Sequence, residues 1–325
     1  MTPAGWVLLP MALSLFFVPF FRGIGIRYRL FDDPGSDPLK IHARPIPYLG
    51  GAAVFVVSSL SLAIIFVSIM LIFRAAVTAP AFLLLARKLL EMVLAGLLII
   101  MLGLADDWKW KKSGSPYLKL FFQFLAGFLV IFILAKQNTD FEFTVAPVFG
   151  ALVAGVYIVG SMNAMNMEDG MDGLAGGLSA ISLIGFFALS IHSKSLYPMM
   201  LSSVLFGSVL GFLNFNRRPA SIFLGDNGSH FLGFALAVFA ITFTNNPLND
   251  PRRFIGPILV IGMPVFDCLF AIVRRTLKGK SPFYGDRSHF YDLLNQRGAG
   301  VGKTVLICYG IQSIIVAAGV LLCVL

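Results

Sequence analysis

Ten apolar runs divide this chain, and they restrict its folding more than any other feature. They lie at 5–22, 49–73, 87–104, 118–135, 147–165, 174–191, 198–213, 229–245, 254–275 and 303–324. Each is close to the roughly 17–25 residues that cross a hydrocarbon core as a helix. A backbone in lipid must pair its own polar groups, so such runs form helices. The 325 residues are 58% hydrophobic and 13% charged, where soluble domains carry about 25% charged residues. Mean hydropathy is +0.86. The expected fold is therefore all-α: one integral membrane domain over 1–325, a bundle of about ten transmembrane helices. The third run is the least sharply bounded, because 79–86 is also apolar and Glu91 lies inside it.

Lys and Arg orient the bundle, since cytoplasmic loops carry an excess of both. Assigning the segments around 22–44, 109–119, 217–218 and 274–303 to the cytoplasm places 18 of the 25 basic residues there, against seven opposite. Both termini are then expected to be extracytoplasmic. No basic residue precedes the first run and Arg22, Arg27 and Arg29 follow it, so it reads as a span and not as a cleavable signal peptide. Most acids fall on the cytoplasmic face too, so the net charge of +9 is not a simple basic coat. Acids and bases mixed on one face suit a phosphate-rich substrate handled with a metal. Nucleic acid is not an expected partner, because the basic residues sit in short loops between spans.

Polar residues gather in five stretches. In "NAMNMEDGMDGLAGG", Asn163, Asn166 and Asp169 are spaced by three and share a face if the fifth helix continues that far. Gly170 and Gly173 permit a tight turn that brings Asp172 back toward the same space, and Glu168 adds a third acid. Loop polarity explains the asparagines and glycines, but explains three acids and two asparagines in ten residues poorly. Asn and Asp oxygens are hard ligands suited to Mg²⁺. In "LGLADDW", Asp106 and Asp107 end the third run, either as an interfacial helix end beside Trp108 or as a base or cation site. In "FLGDNGS", Asp226 precedes the eighth run, with Asn227 or Ser229 placed to cap the following helix. A helix N-terminus there also suits an anion. Lys40, His42 and Arg44 form a basic, proline-stiffened segment before the second run. The last loop holds Arg287, whose fork of donors suits pyrophosphate, and His289, suited to acid–base work or phosphate donation.

Other features have plainer readings. Cys268, Cys308 and Cys323 lie within spans without ligand spacing. Gly207 and Gly211 form a GxxxG, read first as close helix packing and second as a homodimer contact. Asp267, within the ninth run, should face the bundle in support of the site, while Glu91 can snorkel toward Lys88. Crowded cytoplasmic carboxylates need a cation, which divalent metal supplies.

Taken in order, "KIHARPIPYLGG", "LGLADDW", "NAMNMEDGMDGLAGG", "FLGDNGS" and "DRSHFYDLL" resemble the polyprenyl-phosphate N-acetylhexosamine-1-phosphate transferases over nearly the whole chain. That family includes GlcNAc-1-phosphate transferases and the phospho-MurNAc-pentapeptide translocase. The resemblance implies transfer of a sugar 1-phosphate from a UDP-sugar donor to a polyprenyl (undecaprenyl) phosphate acceptor, releasing UMP. It implies an active site on the cytoplasmic face of a bacterial inner membrane, serving a cell-envelope glycan such as cell wall or lipopolysaccharide. By position, Asp226 resembles the principal Mg²⁺ ligand (Mn²⁺ being an alternative) and Asn166 a second. Asp106 and Asp107 resemble the paired aspartates near the lipid phosphate. Asp169 and Asp172 fall at nucleotide contacts, and Phe223 where an aromatic stacks on uracil. Lys40, His42, Arg287 and His289 fall at phosphate-contact and catalytic positions. Many members carry a run of histidines in the last loop, whereas Phe290 and Tyr291 follow His289 here, which points away from the pentapeptide translocase.

Two rivals are weaker. A CDP-alcohol phosphatidyltransferase needs DGxxAR and nearby aspartates, but Gly176 and Gly177 occupy the matching positions and the next aspartate is Asp226. A transporter would hold its carboxylates near the middle of the membrane, and these cluster at one face.

Overall fold

The computed structural model describes residues 3–36, 44–72, 80–110, 116–135, 147–244, 250–281 and 286–325. All ten predicted runs fall on helices. They are α1 (Pro3–Arg27), α2 (Gly50–Ile72), α3 (Pro80–Ala105), α4 (Pro116–Ala135), α5 (Pro147–Glu168), α6 (Leu174–His192), α7 (Leu196–Asn216), α8 (Gly225–Phe243), the pair α9 (Pro251–Leu259) and α10 (Gly262–Leu277), and, after the short α11 (Phe290–Leu294), α12 (Gly300–Val324). Among the described residues seven helices are long and apolar enough to cross a membrane, eight if the bent pair is one span. A two-residue antiparallel ribbon, β1 (Phe31–Asp32) on β2 (Ile46–Pro47), ties down the approach to α2.

Helix α8 lies at the centre, packed against α2, α3, α5 and α6. Its residues Phe234 to Ala240 are all buried, as befits a helix apolar on every side. The outer helices α1, α3 and α12 instead show large apolar side chains at their surfaces, including Phe16, Leu90 and Ile314, as lipid-facing helices do. Gly207 and Gly211 face α1: a Cβ on Gly207 would meet the Val7 carbonyl, and one on Gly211 would meet Ser14. The GxxxG thus serves packing within the chain.

The predicted ninth span is not one helix. Helices α9 and α10 meet at an 83° bend. Pro264 has no N–H to donate to the carbonyl of Val260, so that carbonyl is left without its helical partner. Two buried side chains take over: Ser182 Oγ donates to it at 2.7 Å and Gln312 Nε2 at 2.9 Å. The same Gln312 accepts from Met263 N at 3.0 Å. The freed backbone groups are satisfied from α6 and α12, the condition under which a broken helix survives at membrane depth.

Three helix ends converge where the polar stretches lie. Gly50 N donates to Phe223 O (3.0 Å) and Gly51 N to Leu224 O (2.8 Å), while Phe223 N donates to Pro47 O (2.8 Å). A Cβ on Gly51 would strike the backbone of Gly228, and one on Gly103 the backbone of Asn227. The start of α2 and the end of α3 therefore touch the start of α8 backbone to backbone.

Candidate active site

Just past α3 the backbone takes a π turn, Asp106–Trp110, which carries both aspartates inward. Such turns recur at functional sites. The two carboxylates do different work. Asp107 accepts from Asp226 N and Asn227 N, each at 3.1 Å, and from Asn227 Nδ2 at 2.8 Å. It caps α8, satisfying donors that a helix start leaves open. The expected cap from Asn227 or Ser229 is replaced by this one. Asn227 spends its amide on Asp107 and Tyr48 O, and Ser229 bonds back to Gly225 O.

Asp106 forms an ion pair with Lys119, whose Nζ also lies 3.6 Å from Asp226 Oδ2. Asn166 Nδ2 donates to Asp226 Oδ1 at 2.8 Å and to Ser229 Oγ at 2.9 Å. Asp106, Asp226, Asn166 and Lys119 thus form one centre. Within it the Asp226 side chain is 20% exposed and that of Asp106 9%, so Asp226 is the carboxylate more open to an incoming group. Lys119 is the only charged residue in α4. A lone Lys at a span end reads as a topology signal, which hides its place between two carboxylates.

Asn163 does not join this centre. Its amide donates to Gln123 Oε1 at 2.8 Å, and Gln123 Nε2 lies 3.2 Å from His230 Nε2. Helix α5 ends at Glu168, leaving Asp169 in the turn that follows. Asp172 Oδ2 accepts from Ala220 N at 3.1 Å, joining that turn to the segment before α8. Phe223 lies in the same segment, half-buried. Lys40 and His42 lie outside the described residues.

A second centre forms around the last loop. His289 is buried, its Nδ1 2.7 Å from Asp267 Oδ2 and its Nε2 3.2 Å from Arg275. Asp267 also accepts from Phe290 N at 2.8 Å. Both ring nitrogens are engaged, Nδ1 by Asp267, the supporting group expected from its place in the ninth run, and Nε2 by Arg275. Arg275 further binds Asp286 at 2.7 Å, and Arg274 bonds to Ser288. Burial raises the Asp286 pKa, but the bonds from Ser288 and Arg275 outweigh it and hold the carboxyl below its ordinary 3.8. Arg287 is partly exposed and lies 3.6 Å from Asp292. Tyr291 OH donates to Met167 O at 2.8 Å, which ties this loop to the end of α5. Glu168 is wholly buried there and does not face solvent. On the far side of the bundle Glu91 pairs with Arg87 at 2.9 Å.

The first centre offers oxygen donors of the kind a hard divalent cation takes. Among the described residues no three His, Cys, Asp or Glu side chains converge for a metal. Two carboxylates, Asp106 and Asp226, lie together with the Asn166 amide beside them, and Mg²⁺ is commonly bound through one or two carboxylates with water and substrate phosphates completing its shell. The Lys119 ammonium already stands between those carboxylates, where positive charge is required.

The description "Glycosyl transferase family 4" matches residues 89–244. The chain is 30% identical to a probable undecaprenyl-phosphate N-acetylglucosaminyl 1-phosphate transferase of Bacillus subtilis, covering 91% of this chain and 78% of that protein. It is 30% identical to the decaprenyl-phosphate N-acetylglucosaminephosphotransferase of Mycolicibacterium smegmatis, over 91% and 76%. It is 32% identical to a phospho-N-acetylmuramoyl-pentapeptide-transferase of Caldanaerobacter subterraneus, over 73% and 72%.

Proposed function

This chain belongs to the polyprenyl-phosphate N-acetylhexosamine-1-phosphate transferases of glycosyl transferase family 4, and from that premise we propose that it moves an N-acetylhexosamine 1-phosphate from a UDP-sugar to a polyprenyl phosphate, most simply undecaprenyl phosphate. The observation that carries the reading is the convergence of Asp226, Asp106, Asn166 and Lys119 at the start of α8. An oxygen of the acceptor phosphate attacks the β-phosphorus of the donor. The bond from that phosphorus to the bridging oxygen breaks, and UMP leaves with the electron pair. The acceptor is already an anion, so no side chain has to deprotonate it.

Asp226 and Asp106 would hold Mg²⁺, with Mn²⁺ as a substitute, and Asn166 would join them once its amide, which here donates to Asp226 and Ser229, turned its oxygen inward. The metal supplies charge neutralisation on the pyrophosphate. Lys119 keeps the two carboxylates together and adds a positive charge beside the reacting phosphates. Asp107 acts through the backbone, fixing the amides that carry Asp226. His289 is a positioning residue: with Asp267 and Arg275 it anchors the loop that presents Arg287 to the donor pyrophosphate. Asp169, Asp172 and Phe223 serve the nucleotide. The site faces the cytoplasm of a bacterial inner membrane and both termini face outward, in keeping with the 18-to-7 division of basic residues.

The test is UMP release by purified protein given undecaprenyl phosphate, Mg²⁺ and a panel of UDP-sugars. Release with UDP-GlcNAc, abolished by chelation, is the expected result. Absence of release with every UDP-N-acetylhexosamine would reject the reading.

A further inference from the structure

Helices α7 and α12 both pack on α6. Between them, at the end of α7, opens a crevice of about 500 Å³. Its walls are apolar, from Leu210 and Leu213 on α7 and Val305 and Leu306 on α12. Its polar end holds Arg217 and Arg218, which are exposed. No side-chain partner binds either guanidinium among the described residues. Asp172, also on the rim, has turned a carboxylate oxygen to Ala220 N. Tyr309 OH is likewise engaged, donating to Gly173 O at 2.6 Å. Two guanidinium charges against the one carboxylate of Asp172 leave the crevice net positive.

This shape and charge match an amphiphile with a phosphate head and hydrocarbon tails. None of Asp106, Asp226, Asn166 or Lys119 lines the crevice, so a phosphate held there is outside the proposed reaction centre. We propose that it seats an anionic glycerophospholipid of the surrounding membrane, the phosphodiester on Arg217 and Arg218 and the acyl chains along Leu210, Leu213 and Leu306. The paired arginines do more than set topology: they fasten a lipid over the α5–α6 turn and couple the stability of that turn to the lipid headgroup. Asp172, assigned above to the nucleotide, borders this crevice, so the test reads lipid retention and unfolding temperature and no turnover.

Purified protein is delipidated and titrated with phosphatidylglycerol or phosphatidylcholine in the same detergent, with retained lipid read by native mass spectrometry and unfolding temperature recorded alongside. Phosphatidylglycerol should be retained and should raise the unfolding temperature more than phosphatidylcholine. A charge-assisted bond to phosphate of about 1.5–3 kcal/mol corresponds to roughly ten- to a hundred-fold in affinity. Arg217→Gln with Arg218→Gln should weaken retention by at least that factor, and Arg252→Gln with Arg253→Gln should not. Leu306→Trp, which fills the apolar wall and leaves the charge intact, should have the same effect if the double variant does not fold. Glycerol 3-phosphate without tails should not stabilise. Equal retention of both lipids, or an unchanged phosphatidylglycerol effect in the variants, overturns the proposal. So does stabilisation by glycerol 3-phosphate alone, or displacement of the lipid by equimolar polyprenyl phosphate, which would make the crevice the acceptor's own.

Discussion

Asp106 and Asp107 are adjacent and equally buried, but their roles separate under one conservative change. Asp107→Asn keeps the size of the side chain and removes its charge. One oxygen remains to accept from a backbone N–H, while the new amide N–H₂ faces donors that formerly pointed at a carboxylate. Oδ1 accepts one of the three hydrogen bonds (3.1 Å) and Oδ2 the other two (3.1 and 2.8 Å), so the single amide oxygen keeps one or two of them. Bonds to a charged acceptor contribute about 1.5–3 kcal/mol each, and a cap residue about 1. Allowing for rearrangement, the expected loss is roughly 2–4 kcal/mol. Scaled from soluble domains to this length, that lowers the unfolding temperature by roughly 3–6 °C. Asp106→Asn differs in sign. It removes one of two carboxylates crowded about a single ammonium, so stability should hold or rise while turnover falls. The assay pairs thermal unfolding in detergent with UMP release for both variants. An Asp107→Asn protein that melts like the parent would refute the capping argument. An Asp106→Asn protein that melts several degrees lower would refute the assignment of repulsion to that pair.

Four further outcomes are expected. Asp226→Asn should abolish turnover and Asn166→Ala should raise the Mg²⁺ concentration needed for half-maximal rate; near-normal rates at low Mg²⁺ in the first variant contradict the ligand set. Arg287→Ala should lower kcat/KM by roughly ten- to a few-hundred-fold, from about 1.5–3 kcal/mol per charged phosphate contact, with Arg287→Lys recovering only part; an unchanged value rejects Arg287 as a donor contact. A Cys placed at Ser281 in a background lacking the native cysteines should resist membrane-impermeant labelling in intact cells, and ready labelling from outside rejects the orientation. Because the Asp286 pKa is held below 3.8, its contribution to stability should be complete above about pH 4 and vanish as pH falls further; a melting temperature that drops equally in Asp286→Asn over that range assigns the loss to another group.

Apolar length alone locates every long helix, because in lipid little else can satisfy the backbone. The bend between α9 and α10 is signalled only faintly, by Pro257, Gly262 and Pro264. The residues that make it tolerable, Ser182 and Gln312, are 78 and 49 or more positions distant along the chain. The same distance hides the division of labour within the active site. Asp226, Asn166 and Asp106 announce themselves as oxygen ligands. That Asp107 is spent on a helix cap 119 residues away is invisible to spacing. Asn163 keeps helical register with Asn166 but diverges in direction, because three residues turn a helix by about 300°, enough to send one amide to Gln123 and the other to Asp226. His289 looks available in a polar loop, and only packing reveals Asp267 and Arg275 on either side of it.

The Gln312 contact also bears on how the chain is made. Met263 N and Val260 O are synthesised about fifty residues before the side chain that completes their bonding. Until α12 arrives, the Val260 carbonyl has Ser182, but the Met263 amide lacks its native acceptor. The elbow should therefore insert as a loose or straighter segment and take its final angle only after the last helix docks. Gln312→Leu chains should accordingly be arrested late in biogenesis, with α1 to α8 assembled and protease-resistant while the stretch around 260 remains cleavable.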